Sequence, residues 1–158
     1  MTTPRQTMGR YTLRGRLGWG GFATVDRAWD PERKCDVALK ALLPHLAEEP
    51  AIRERFLVEA RAIAPLRHAN IVRFYDVGED AGRPFFTMEL IDGKTLADLL
   101  AVGGRLPLDR VVQTLQALGS ALDYLHGRGL VHRDIKPANI MVDRAGRTVL
   151  MDFGIARA

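Results

Sequence analysis

The sequence predicts an α+β fold: a five-stranded antiparallel sheet with one main helix, a short connecting segment, and a mainly helical second part. Three observations predict it. Short β-rich runs separated by Gly- and Asp-containing turns occupy the chain up to Leu90, a single amphipathic helical stretch interrupts them, and a much longer helical periodicity begins at Leu108.

Each element follows in order. After a polar arm at residues 1–10, residues 11–17 and 24–29 read as strands around a Gly-rich turn, and 36–42 reads as a third. Ile52, Phe56, Ala60 and Ile63 then recur at helical spacing, and Pro65 ends that helix. Two further strands, 71–77 and 85–90, are joined by a turn at 79–83, and a short helix at 95–100 follows. From Leu108, the positions Val111, Val112, Leu115, Leu118, Leu122 and Leu125 keep helical phase, with Gly127 and Gly129 closing the helix. A loop at 132–139 leads to a hairpin of 140–142 against 148–151, turned by 143–147.

The 158 residues, 47% hydrophobic and 27% charged, are ordinary for one globular domain with a buried core. The net charge of +4 comes from basic residues scattered among acids, so charge implies no nucleic-acid partner. The first ten residues lack an apolar core of signal-peptide length, and no stretch is apolar for long enough to cross a bilayer, which makes a cytoplasmic location the default expectation. Cys35 is the only cysteine, so no intrachain disulfide is expected, and it reads as a strand residue without a redox role.

Chemistry enters with the glycines. Gly18, Gly20 and Gly21 lie between two strands, where small residues let backbone amides approach an anion, although a glycine cluster also serves a bare hairpin turn. On the next strand the two-residue period puts Ala38 and Lys40 on one face, with Val37 and Leu39 opposite. A lysine there could simply snorkel to water. Glu59, three residues after Phe56 and four before Ile63, lies on the apolar side of its helix and needs a cation, and Lys40 is the economical partner. A marginal edge position for Glu59 is the alternative.

The deciding segment is His132, Arg133, Asp134, Ile135, Lys136, Pro137, Ala138, Asn139, followed by Asp152, Phe153, Gly154. With these residues the chain resembles a serine/threonine protein kinase, and the Gly-loop wording together with Arg55, Phe56, Glu59, Arg67, His68, Asn70, Ile71 and Val72 is most similar to the bacterial branch. The resemblance implies a protein-kinase-like fold with a small lobe at about 11–88, a hinge at about 89–93 and a partial large lobe at 94–158.

It also implies ATP-dependent phosphoryl transfer to Ser and Thr hydroxyls of a protein substrate, with ATP and Mg²⁺ or Mn²⁺ as cofactors. Asp134 would be the catalytic base, Lys136 would contact the transferring phosphate, and Asn139 and Asp152 would hold metal. Lys40, held by Glu59, would bind the α and β phosphates under Gly18, Gly20 and Gly21. Leu17, Val25, Ala38 and Met141 would sandwich the adenine, Met88 would be the gatekeeper, and the backbones of Glu89 and Ile91 would bind its edge. Ile63, Phe74, His132 and Phe153 would stack as a spine. Lys136, two places after Asp134, resembles the serine/threonine class, and Arg133 resembles kinases activated by phosphorylation of a later loop.

Two departures stand out: Ala23 where the family often has a third glycine, and Pro65, which shortens the helix carrying Glu59. Ending at Ala158, the chain is expected to lack the activation segment and the substrate-binding helices, leaving an exposed apolar side on the long helix. A non-catalytic ATP-binding or interaction module is therefore the alternative function. Transfer to a small molecule is disfavoured by the HRDxKxxN wording. Bacterial members suggest a homodimer through the small lobe, which nothing in these residues themselves shows.

Overall fold

A computed structural model of the chain describes residues 6–151. They divide into two compact units, each treated by itself below: the first runs up to Pro65 and resumes over Phe74–Leu90, and the second takes Leu66–Arg73 and the chain from Ile91.

The first unit is built on an antiparallel sheet of β1 (Thr7–Met8), β2 (Tyr11–Trp19), β3 (Ala23–Asp30), β4 (Cys35–Leu42), β5 (Phe74–Asp80) and β6 (Arg83–Glu89), in the order β1-β2-β3-β4-β6-β5. The five expected strands are present, and two residues of the polar arm add a sixth at the edge. β4 is buried on both faces, which is why its sequence VALKAL is almost continuously apolar. One face packs Val37, Leu39 and Ala41 with Met8, Tyr11, Ala28 and Phe85, and the Tyr11 and Phe85 rings meet edge to face at 5.8 Å.

Two helices complete this unit, the four-residue α1 (Pro44–Ala47) and α2 (Pro50–Ile63). Both begin with proline, whose fixed φ and missing N–H suit a first turn, and α2 buries Phe56, Ala60 and Ile63. The arm is tied down by charge: Arg10 donates to Asp30 at 3.1 Å and to Asp76 at 2.9 Å, while the Gly9 amide donates to Asp80 at 2.6 Å.

The expected strand at 71–77 begins later, at Phe74. Ile71 instead bridges Leu150 in the second unit, where the Val72 amide also donates to the Leu150 carbonyl. His68 and Asn70 form the turn that diverts the chain, the Asn70 amide donating to His68 Nδ1 at 3.0 Å.

The second unit contains a three-stranded sheet of β7 (Gly93–Thr95), β8 (Ile140–Asp143) and β9 (Thr148–Leu150), with α3 (Leu96–Gly103) and α4 (Leu108–His126). A capping box between Thr95 and Asp98 starts α3, and Gly104, with φ 73°, ends it. β7 was not expected from the sequence. It exists because Gly93 has no side chain: a Cβ there would lie 2.1 Å from the Val142 carbonyl oxygen. α4 buries Thr114, Ala121 and Leu125 against its own unit, and Leu108, Val112 and Leu115 are exposed. Cys35 is an exposed free thiol at the start of β4. Among the described residues, no helix is long and apolar enough to cross a membrane.

Candidate functional site

In the first unit, strand register gathers the expected nucleotide residues. Lys40 lies across from Val25 on β3 and from Phe86 on β6, and Ala38 lies across from Met88. Directly paired residues, and residues two apart on one strand, share a face, so Val25, Ala38, Lys40, Phe86 and Met88 point to the same side of the sheet. Helix α2 covers that side, since the Phe56 ring packs 5.5 Å from Phe86. Glu59, half-buried and next to buried Ala60, is delivered from the same helix. Glu89 ends β6 opposite Val37.

The glycine hairpin joins β2 to β3, closed by the Gly20 amide donating to the Ala23 carbonyl at 2.9 Å. A Cβ added to Gly18, Gly20 or Gly21 would meet nothing within 4 Å, and none of the three has positive φ. Among the described residues, neither packing nor backbone conformation therefore demands glycine here. The hairpin also exposes Leu17, Trp19 and Phe22.

In the second unit the loop before β8 is held as one polar cluster. Asn139 Nδ2 donates to the Asp134 carbonyl at 2.8 Å and to Asp134 Oδ2 at 2.9 Å, and Lys136 Nζ lies 3.8 Å from Asp134 Oδ1. His132, 2% exposed, accepts the Asp134 amide at Nδ1 and contacts the Met151 carbonyl from Nε2 at 2.7 Å. A carbonyl only accepts, so the imidazole is neutral with its proton on Nε2. The Met151 amide in turn donates to the Asn139 carbonyl at 2.8 Å. Both backbone groups of Met151 are thus fixed by this loop, immediately before Asp152. Between His132 and Asp134 the chain turns through Arg133 at φ 71°, an uncommon conformation for a side chain of that size.

Ile91 and Met141 are half-buried residues of the same unit, Met141 lying between Thr95 and Val149 across the small sheet. Asp152 and Phe153 lie outside the described residues. Among those described, no cluster of three His, Cys, Asp or Glu side chains could hold a metal by itself. Asn139 fits a ligand role nonetheless: with Nδ2 committed to Asp134, its Oδ1 is the atom left to coordinate a hard cation.

Sequence reasoning missed the hydrogen-bonding role of His132 and the anchoring role of Arg83. Arg83 donates to the Leu42 carbonyl and to Thr24 Oγ1, and burial pushes its pKa down. An arginine in a hairpin reads as an ordinary turn residue, so no local signal marked it.

The protein kinase domain family matches residues 11–158. The chain is 45% identical over 162 residues to the probable serine/threonine-protein kinase SCO3848 of Streptomyces coelicolor, covering all of this chain and 24% of that protein. It is 42% identical to serine/threonine-protein kinase PknB of Mycobacterium tuberculosis, covering 26% of it. The chain thus spans about a quarter of the length of these curated relatives. Among solved structures, the Mycobacterium tuberculosis PknI kinase domain superposes with a TM-score of 0.85 at 34% identity, covering 99% of this chain and 64% of that one.

Proposed function

This chain belongs to the protein kinase family, with relatives that are serine/threonine kinases, and we propose that it transfers the terminal phosphoryl group of ATP to Ser or Thr hydroxyls of a protein. The observation that carries this reading is the set of Asp134, Asn139 and Lys136 on one short loop, with Asn139 hydrogen-bonded to Asp134 and Lys136 ion-paired with it. Asp134 orients the substrate hydroxyl and accepts its proton as the oxygen bonds to phosphorus and the bond to the ADP oxygen breaks. Lys136 neutralises charge on the transferring group.

In the first unit, Lys40 holds the α and β phosphates and pairs with Glu59. Lys40 shares a sheet face with Phe86, against which Phe56 of α2 packs, and Glu59 is carried by the same helix, which supports the pairing. The unfilled space around Gly18, Gly20 and Gly21 supports a phosphate-covering role for the hairpin. Val25, Ala38 and Met88, with Leu17 and Met141, supply the apolar surface for adenine, and the Glu89 and Ile91 backbones bind its edge. Magnesium, held by Asn139 and Asp152, would neutralise the phosphates.

A double-mutant cycle tests the first-unit half. ATP affinity is measured by titration calorimetry with Mg²⁺ for the unmodified chain, Lys40→Met, Glu59→Gln and the double variant. We expect a coupling of about 1 kcal/mol or more between the two positions. Strictly additive losses would exclude the pair.

A further inference from the structure

We propose that a depression on the second unit, walled by α4 and the turn between β8 and β9, binds an acidic peptide segment of a partner protein, with Arg110 as its main anion-binding group. The depression encloses about 540 Å³. Arg110, Gln113 and Gln116 line it from α4, Gly146 and Arg147 from the turn, and Asn70 from the segment before the first-unit strand β5. Among the described residues no Asp or Glu lines it.

Arg110 gives the depression its anion-binding group. Its Nη1 donates to the Gly146 carbonyl at 3.1 Å, and among the described residues no carboxylate pairs with it. A planar guanidinium carries five donors, so one carbonyl leaves a fork able to take a carboxylate in two parallel bonds. Gly146, at φ 86°, sits beside that fork, and a Cβ there would lie 3.6 Å from Arg110 Nη2, in ordinary contact with it. Arg147 contributes less charge, since Asp143 engages its Nε at 3.1 Å.

One further feature points to a peptide rather than a free anion. Gln113 and Gln116 are exposed, and their amides both donate and accept, matching the peptide groups of an extended segment. Basic residues also outnumber acidic ones by ten to seven in the second unit, so long-range attraction favours an acidic partner there. None of these residues belongs to the proposed nucleotide or catalytic set, so the test needs no nucleotide and is independent of it.

The test is fluorescence anisotropy of the chain with a fluorescein-labelled hexaglutamate peptide, its glutamine counterpart and a phosphoserine peptide. We expect the glutamate peptide to bind in a salt-sensitive way, with at least tenfold weaker binding for Arg110→Glu and several-fold weaker binding for Gln113→Ala with Gln116→Ala. Arg105→Glu makes the same charge change at an exposed position outside the depression and should cost no more than twofold. The exposed glutamine variants keep the test decisive if Arg110→Glu fails to fold. Equal loss for Arg105→Glu, equal binding of the glutamine peptide, tighter binding of the phosphoserine peptide, or no binding would each overturn the proposal.

Discussion

Asn139 commits its side-chain nitrogen to Asp134, donating to that residue's carbonyl at 2.8 Å and to its carboxylate at 2.9 Å. The carboxylate is thereby aimed by a neutral donor that leaves its charge intact, and the asparagine Oδ1 takes no part in these two bonds. An aspartate at position 139 would replace the donor with a like charge. Asn139→Asp should lower phosphotransfer at least about 100-fold. Comparing its kcat with its thermal midpoint checks that the loss is chemical rather than structural.

His132 joins the loop to the backbone ahead of Asp152 by two hydrogen bonds at opposite ends of one buried ring. Phenylalanine would fill the volume while orphaning the Asp134 amide and the Met151 carbonyl. His132→Phe should therefore destabilise the chain by about 2 kcal/mol or more. Urea unfolding measures this, and an unchanged midpoint would show the ring to be a simple space filler.

The glycines divide into two kinds. Gly18 and Gly20 have open space where a Cβ would go, whereas a Cβ on Gly93 would collide with the β8 backbone. Gly18→Ala with Gly20→Ala should leave the melting temperature within a few degrees while raising the KM for ATP. Gly93→Ala should lower the melting temperature sharply. Differential scanning fluorimetry and ATP titration on the same samples separate the two effects.

Asp30 is fully buried, and burial alone would raise its pKa. Hydrogen bonds from Arg10 and from the Glu32 and Arg33 amides outweigh that and hold the pKa below the ordinary value of 3.8. A depressed carboxylate stabilises the fold fully above its unfolded pKa and ceases to do so as pH falls through its folded one. The stability advantage of the unmodified chain over Asp30→Asn should thus be constant near neutrality and shrink below about pH 4. Denaturant titrations at a series of pH values test this, and an advantage that grows on acidification would contradict it.

How much was legible in the sequence depended on the range of the interactions. β4 and α2 were readable because alternation and helical spacing are local, and Lys40, Glu59, Asp134 and Asn139 could be nominated as site residues because strand period, helical spacing and the loop wording single them out. The edge strand Thr7–Met8, the four-residue α1 and the three-residue β7 are too short to carry a period. The contact of His132 with Met151, and of Arg110 with Gly146, join residues 19 and 36 positions apart, which no local pattern encodes. Strand 71–77 was misjudged at its start because its apolar run continues through a change of unit. Ile71 is apolar for Leu150, Phe74 for Phe86.

The proposed phosphotransfer is tested most directly by incubating the chain with labelled ATP, Mg²⁺ and a generic basic protein, beside the Asp134→Asn variant. The account predicts label on serine and threonine that falls to background in the variant. Incorporation that survives Asp134→Asn, or none above background in either protein, would contradict it.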